Sequence, residues 1–145
     1  MITSYIFGDD IMITADQITL VQTSFAQVTR ISDQAADMFY NRLFEIDPSL
    51  RGLFRSDIKE QGRKLMQMLA VAVNGLDHLD SIIPAVQDLG RRHIVYGVKA
   101  ADYQTVGAAL LWTLEQGLGD AFTPEVEAAW AAAYTLLADT ASQAA

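Results

Sequence analysis

The chain has no cysteine, and only two histidines and three prolines in 145 residues. Without cysteine there is no disulfide, thiolate nucleophile, iron–sulfur cluster, cysteine zinc site or Cys-x-x-Cys-His attachment of a cofactor. That fits a reducing compartment, and a cytoplasmic location is expected. Basic residues are scarce too: ten Lys and Arg stand against eighteen Asp and Glu, a formal net charge of −8. So acidic a chain suits neither nucleic acid nor an anionic membrane, and neither is expected as a partner. No uncharged apolar run approaches the roughly 18 residues of a membrane span. The N-terminus, MITSYIFGDDIM, lacks the basic start of a signal peptide. Gly-rich phosphate loops, Gly-x-Ser-x-Gly elbows and dinucleotide fingerprints are all missing, which leaves nucleotide-dependent and serine-hydrolase chemistry without support.

What remains is apolar and helical. Apolar residues make up 51% and charged residues 19%, a composition that folds rather than stays disordered. A chain of this length suits one domain and buries about 68–70% of its unfolded surface. Residues 1–13 read as an extension outside the periodic pattern, and residues 14–145 as the domain. Thr14 with Gln17 forms a capping box at the start of a helix. Ile18, Val21, Phe25, Val28 and Ile31 then recur at steps of three or four. Ser32 is read as the cap of a second helix carrying Ala36, Phe39, Tyr40, Leu43 and Phe44 inward. Asp47-Pro48 breaks it, because proline disfavours helix in the residue before it. A long helix is expected from about Asp57 to Asn74, stopped by Gly75, and another from Ser81 to about His93 with Pro84 near its beginning. Asp102 is read as a cap for the next. Thr123-Pro124-Glu125 opens the last: cap, proline at the first position, acid in the first turn. No segment shows convincing period-two alternation, so the fold class is all-α with six to eight helices.

Few residues offer chemistry. His93 shares a helix face with Leu89 and Val86, so it points toward the core. It is either a structural histidine satisfied by a backbone carbonyl or a ligand. His78, in Asp77-His78-Leu79-Asp80, reads as a solvated loop residue. Two histidines cannot complete an ordinary zinc site. A haem asks for less: its porphyrin brings four nitrogens, so one imidazole suffices. Gln61 interrupts an otherwise apolar face one turn before Leu65, and is either a boundary residue or a hydrogen-bond donor. A buried Tyr40 needs a partner for its hydroxyl: a backbone carbonyl, Gln61, or a bound diatomic molecule. Phe39, Phe44 and Phe54 are either plain core or the walls of a flat macrocycle.

Five segments, FYNRLFEIDPSLRGLF, KEQGRKLMQML, IIPAVQDLGRRHIVYGV, DYQTVGAALL and FTPEVEAAWAAAYTLLAD, occur in an order that resembles the globin family. The likeness is to bacterial single-domain globins, to the haem domain of flavohaemoglobins and to neuroglobin-like bacterial globins. It covers about Thr14 to Ala138. The resemblance implies a globin fold whose helices sandwich a haem b. His93 matches the proximal ligand to iron and Phe54 the phenylalanine packed on the haem. Pro48 matches the proline before it. Gln61, Tyr40 and Leu65 match the distal residues that face a bound gas. Lys64, Arg92 and Tyr96 are weaker matches for contacts to the propionates or ring edge. The implied function is reversible binding of O2, with CO and NO as further ligands, by a monomer or dimer. The alternatives are a nitric oxide dioxygenase served by an external reductase, and a gas sensor or interaction module. Two departures stand out. Flavohaemoglobins continue into a reductase domain, and none is expected here. They also place a tyrosine and a glutamate beside the proximal histidine. Tyr103 matches the tyrosine, but the glutamate position falls in Ser142-Gln143-Ala144-Ala145, which has no acid.

Overall fold

The computed structural model describes residues 4–7, 11–54, 57–95 and 97–143. Six helices carry the fold: α1 (Ala15–Val28), α2 (Ser32–Ile46), α3 (Ile58–Asn74), α4 (Leu79–Val95), α5 (Ala100–Leu118) and α6 (Pro124–Gln143). Short 3-10 turns join them at Thr29–Ile31, Pro48–Leu53, Leu76–His78 and Gly119–Ala121.

The helix signals act as expected at several ends. Thr14 and Gln17 exchange side-chain and backbone hydrogen bonds at the start of α1, 3.1 and 3.0 Å long. Asp57 accepts the Lys59 amide ahead of α3, and Thr123 accepts the Val126 amide ahead of Pro124. Gly97 adopts a φ of 96°, a left-handed conformation that stops α4.

Other ends differ. Ser32 is not a cap: it is the first residue of α2, Ile31 holds the cap position, and the preceding 3-10 turn supplies the entry without a side-chain bond. Asp102 lies inside α5, where its carboxylate reaches back to the Lys99 amide at 2.9 Å. Helix α4 begins at Leu79, so Pro84 sits inside it rather than near its start. Gly75 ends α3 without a positive φ. It is needed for space instead, since a Cβ there would meet Ile82 Cγ2 at 2.2 Å.

A two-stranded antiparallel hairpin precedes the helices, β1 (Ser4–Phe7) with β2 (Ile11–Thr14) in the register Ser4 to Thr14. At four residues per strand the alternation is too short to read from sequence. Strand β2 packs on α6, and Ile13 is fully buried.

The core is continuous, built from Val21 and Phe25 of α1, Leu43 of α2, Leu114 of α5 and Trp130 and Leu136 of α6. Trp130 donates to Ser24 Oγ at 2.8 Å, and Ser24 donates to the Leu20 carbonyl, so both buried polar groups are satisfied. Among the described residues no single helix is long and apolar enough to cross a membrane.

Candidate functional site

Two groups of candidate residues can be distinguished, one on α2 and α3, the other on α4 and α5. The first is aromatic. Asp47 accepts the amide and hydroxyl of Ser49, which with Pro48 opens the 3-10 turn that delivers Phe54. Tyr40 is buried among three rings: edge-on to Phe39 at 5.1 Å and to Phe54 at 5.3 Å, and stacked on Phe44 at 6.0 Å. Its hydroxyl donates to the backbone carbonyl of Gln61 at 3.3 Å. A backbone carbonyl, one of the partners open from sequence, is thus the one it meets within the chain. The bond is possible because α2 and α3 cross closely at Gly62, where a Cβ would lie 2.9 Å from Ala36 Cβ. Burial pushes the Tyr40 pKa up to about 12, so the phenol keeps its proton. Gln61 and Leu65 lie half-buried beside it on α3.

The second group centres on His93, half-buried near the C-terminal end of α4. Its Nδ1 lies 3.3 Å from the Tyr103 hydroxyl on α5. Burial, and then the adjacent Arg92 charge, hold its pKa below the ordinary histidine value, which favours a neutral ring at pH 7. Burial raises Tyr103, so its phenol is neutral as well. When Nδ1–H donates to the Tyr103 oxygen, Nε2 keeps a free lone pair. The partner of His93 is thus a tyrosine hydroxyl, not a backbone carbonyl.

Tyr103 is itself anchored. The Tyr134 hydroxyl donates to the Tyr103 carbonyl at 2.6 Å, and the Tyr134 ring fits against α5 because residue 107 is glycine. A Cβ at Gly107 would come within 2.8 Å of that ring. Burial raises the Tyr134 pKa as well, with the neighbouring Tyr103 adding to it. Nothing in the sequence singled out Tyr134 as a site residue. The signal it lacked is the pairing of an apolar-face tyrosine with a glycine across two helices far apart in the chain.

The donor set decides which metal group fits. Among the described residues no three His, Cys, Asp or Glu gather into a metal cage. One neutral imidazole suits a metal that brings its other ligands with it, as a porphyrin-bound iron does. The residues present therefore fit a haem. Two small apolar cavities, each of about 20 Å³, share Leu69, Leu110 and Trp130 as walls. The first reaches the site through Phe39 and Leu65; neither is walled by His93 or Gln61.

Lys64 and Arg92 are exposed and pair within their own helices, Lys64 with Glu60 at 3.8 Å and Arg92 with Asp88 at 3.2 Å. Tyr96 lies outside the described residues. His78 is exposed next to Asp77, remote in role from the site.

Comparison with known proteins bears on the family and the fold. The family model described as Globin matches residues 37–141. The Flavohemoprotein of Vibrio cholerae is 31% identical over 130 residues, covering 88% of this chain and 33% of the relative. That of Bacillus subtilis is 30% identical over 131 residues, with the same coverages. The chain thus spans about a third of the length of these curated relatives. Among solved structures, an engineered carbene transferase from Rhodothermus marinus superposes with a TM-score of 0.81 at 27% identity, covering 90% of this chain and 92% of its own. Its parent carries a provisional assignment as a nitric oxide dioxygenase. A bacterial globin from Campylobacter jejuni superposes with a TM-score of 0.78 at 22% identity, covering 89% and 94%, and supports the fold alone. With most of its length matched by the family model and its helices superposing on bacterial globins, the chain belongs to the globin family.

Proposed function

We propose that the chain holds one haem b through Nε2 of His93 and binds a diatomic gas, O2 first among them, beside Tyr40, Gln61 and Leu65. The observation that carries this reading is a neutral, half-buried imidazole whose Nδ1 lies on the Tyr103 hydroxyl; a buried, protonated phenol held at the Gln61 carbonyl supports it. When bound, the haem supplies an iron with a coordination position open to O2, CO or NO.

The chain's own residues do the rest. Phe44 and Phe54 keep water from Tyr40 and hold its ring in one orientation. The Tyr40 bond to the Gln61 carbonyl, at 3.3 Å, is longer than the usual 2.7–2.8 Å of such bonds and hence weak. Turning the hydroxyl toward a polar ligand therefore costs little. The Gln61 amide provides a second donor. It is a poor iron ligand, so His93 is the one protein ligand expected. Lys64, Arg92 and Tyr96 are candidates for the propionates. Lys64 and Arg92 would first leave exposed intrahelical pairs, which are worth little. Residues 14–145 are assigned to the globin body, and residues 1–13 to an appended segment.

A second reading, nitric oxide dioxygenase, draws on the names of the flavohemoprotein and Rhodothermus marinus relatives. It requires electrons from a separate reductase. The test is nitrate formation from NO by the oxygenated protein with an electron donor. A single slow turnover supports O2 binding as the function. Many rapid turnovers per haem place the enzyme reading first. A purified protein that takes up no haem contradicts both.

A further inference from the structure

Charge is unevenly distributed along this acidic chain. Nine of the ten Lys and Arg lie between Arg42 and Lys99, whereas residues 100–145 contain six acids and no base. The fold brings the segments that carry several of the described bases close to one another. A Cβ at Gly97 would lie 3.4 Å from Leu53 Cδ2, so the turn after α4 abuts the 3-10 turn Pro48–Leu53. The Tyr40–Gln61 bond ties the start of α3 to the same place, since Tyr40 also packs on Phe54. Arg51, Lys59, Arg63, Arg91 and Lys99 are all exposed there, and none of them is in an ion pair among the described residues. The acids nearest in sequence are already engaged: Glu60 with Lys64, Asp88 with Arg92, and Asp57 with the Lys59 amide. On α5 and α6, by contrast, Glu115, Glu125 and Glu127 are exposed with no cation on either helix.

We propose that this basic rim around the site is the docking surface for an acidic electron-donating protein. The proposal rests on the haem reading above and names the partner for that same site. A molecule with one positive patch and a negative remainder is oriented as it approaches an acidic surface, and its long-range repulsion keeps the encounter brief. Brief, charge-led contacts of small area are typical of electron-transfer encounters. A nucleic acid would press its full charge density against a protein of net charge −8 and is the less favoured polyanion.

The experiment maps amide shifts of the isotope-labelled protein on adding a flavodoxin, an acidic flavin protein, at low and at high salt. Shifts are expected around residues 57–65 and 89–99, with affinity falling about tenfold as salt screens the contact. The fourfold variant Lys59→Glu, Arg63→Glu, Arg91→Glu, Lys99→Glu should abolish them while its α5 and α6 resonances stay in place. It should also slow reduction of the ferric protein by flavodoxin about tenfold, and leave reduction by photoreduced riboflavin, too small to need the docking surface, nearly unchanged. Shifts on α1, α5 or α6, insensitivity to the fourfold variant, or tighter binding of duplex DNA or anionic vesicles to the same residues would overturn the proposal. Failure of the haem reading shows separately, as a missing haem absorption band, because the shift mapping does not need the haem.

Discussion

Tyr40 spends its hydroxyl hydrogen on a carbonyl 3.3 Å away, although it sits among three aromatic rings that could have packed a phenylalanine equally well. A weak bond at so well packed a residue is poised for exchange: the hydroxyl gives up little when it turns to a bound gas. A hydrogen bond to a ligand that has drawn charge from iron contributes about 1.5–3 kcal/mol. Replacing Tyr40→Phe should therefore speed O2 release about tenfold to a hundredfold, measured by stopped-flow displacement with CO. In the parent protein the Tyr40 contribution should not vary between pH 6 and 9, because burial pushes its pKa up to about 12. An unchanged release rate in the variant would remove Tyr40 from the account. At this scale the sequence was a good guide where a residue type is itself a signal. Tyr40 stood out as a polar residue on an apolar face and is buried and hydrogen-bonded, though to the Gln61 backbone carbonyl, which any residue there would supply. The partner of His93 was not legible as geometry, because the Tyr103 hydroxyl arrives from another helix.

Helices meet closely where side chains are absent. Helix α4, which carries His93, approaches α6 at Gly90, where a Cβ would lie 1.9 Å from the Ala141 carbonyl oxygen. Since that neighbour is backbone, the helices themselves would have to separate. Gly90→Ala should destabilise the protein by about 1–3 kcal/mol, the range for overpacking, seen as a lower urea midpoint at unchanged slope. Gly52→Ala is the control: nothing lies within 4 Å of its Cβ, so stability should hold or rise slightly. A Gly90 variant as stable as the parent would show that α4 and α6 are not held by this contact. Element ends were legible where capping is local, as at Thr14 with Gln17 and at Thr123-Pro124. They were not where tertiary packing overrides local preference. Ser32 entered α2 from a 3-10 turn, Asp102 fell within the first turn of α5, and Pro84 was absorbed into α4. The hairpin was missed because four residues of alternation carry too little pattern, and because its anchor, Ile13, is buried by α6 rather than by a sheet.

Across the whole molecule, one set of helices serves two ends. The core, from Val21 to Leu136, keeps α1, α2, α5 and α6 together, while Gln61 and His93 are carried by α3 and α4. The all-α class and the family could be read from composition, periodicity and five ordered segments, because each depends on many residues at once. The crowding of cations near the site could not, since it arises only when the segments around Arg51, Lys59 and Arg91 are folded close to one another. The central claim is that His93 holds a haem in this fold. Its most direct test is the visible absorption spectrum of the reduced protein, alone and with CO and O2, beside His93→Ala and His78→Ala. The account predicts a spectrum typical of a haem with one histidine ligand that shifts with each gas, persists in His78→Ala and is lost or reduced to unligated haem in His93→Ala. A protein without a haem band, or one whose spectrum is indifferent to His93, would contradict it.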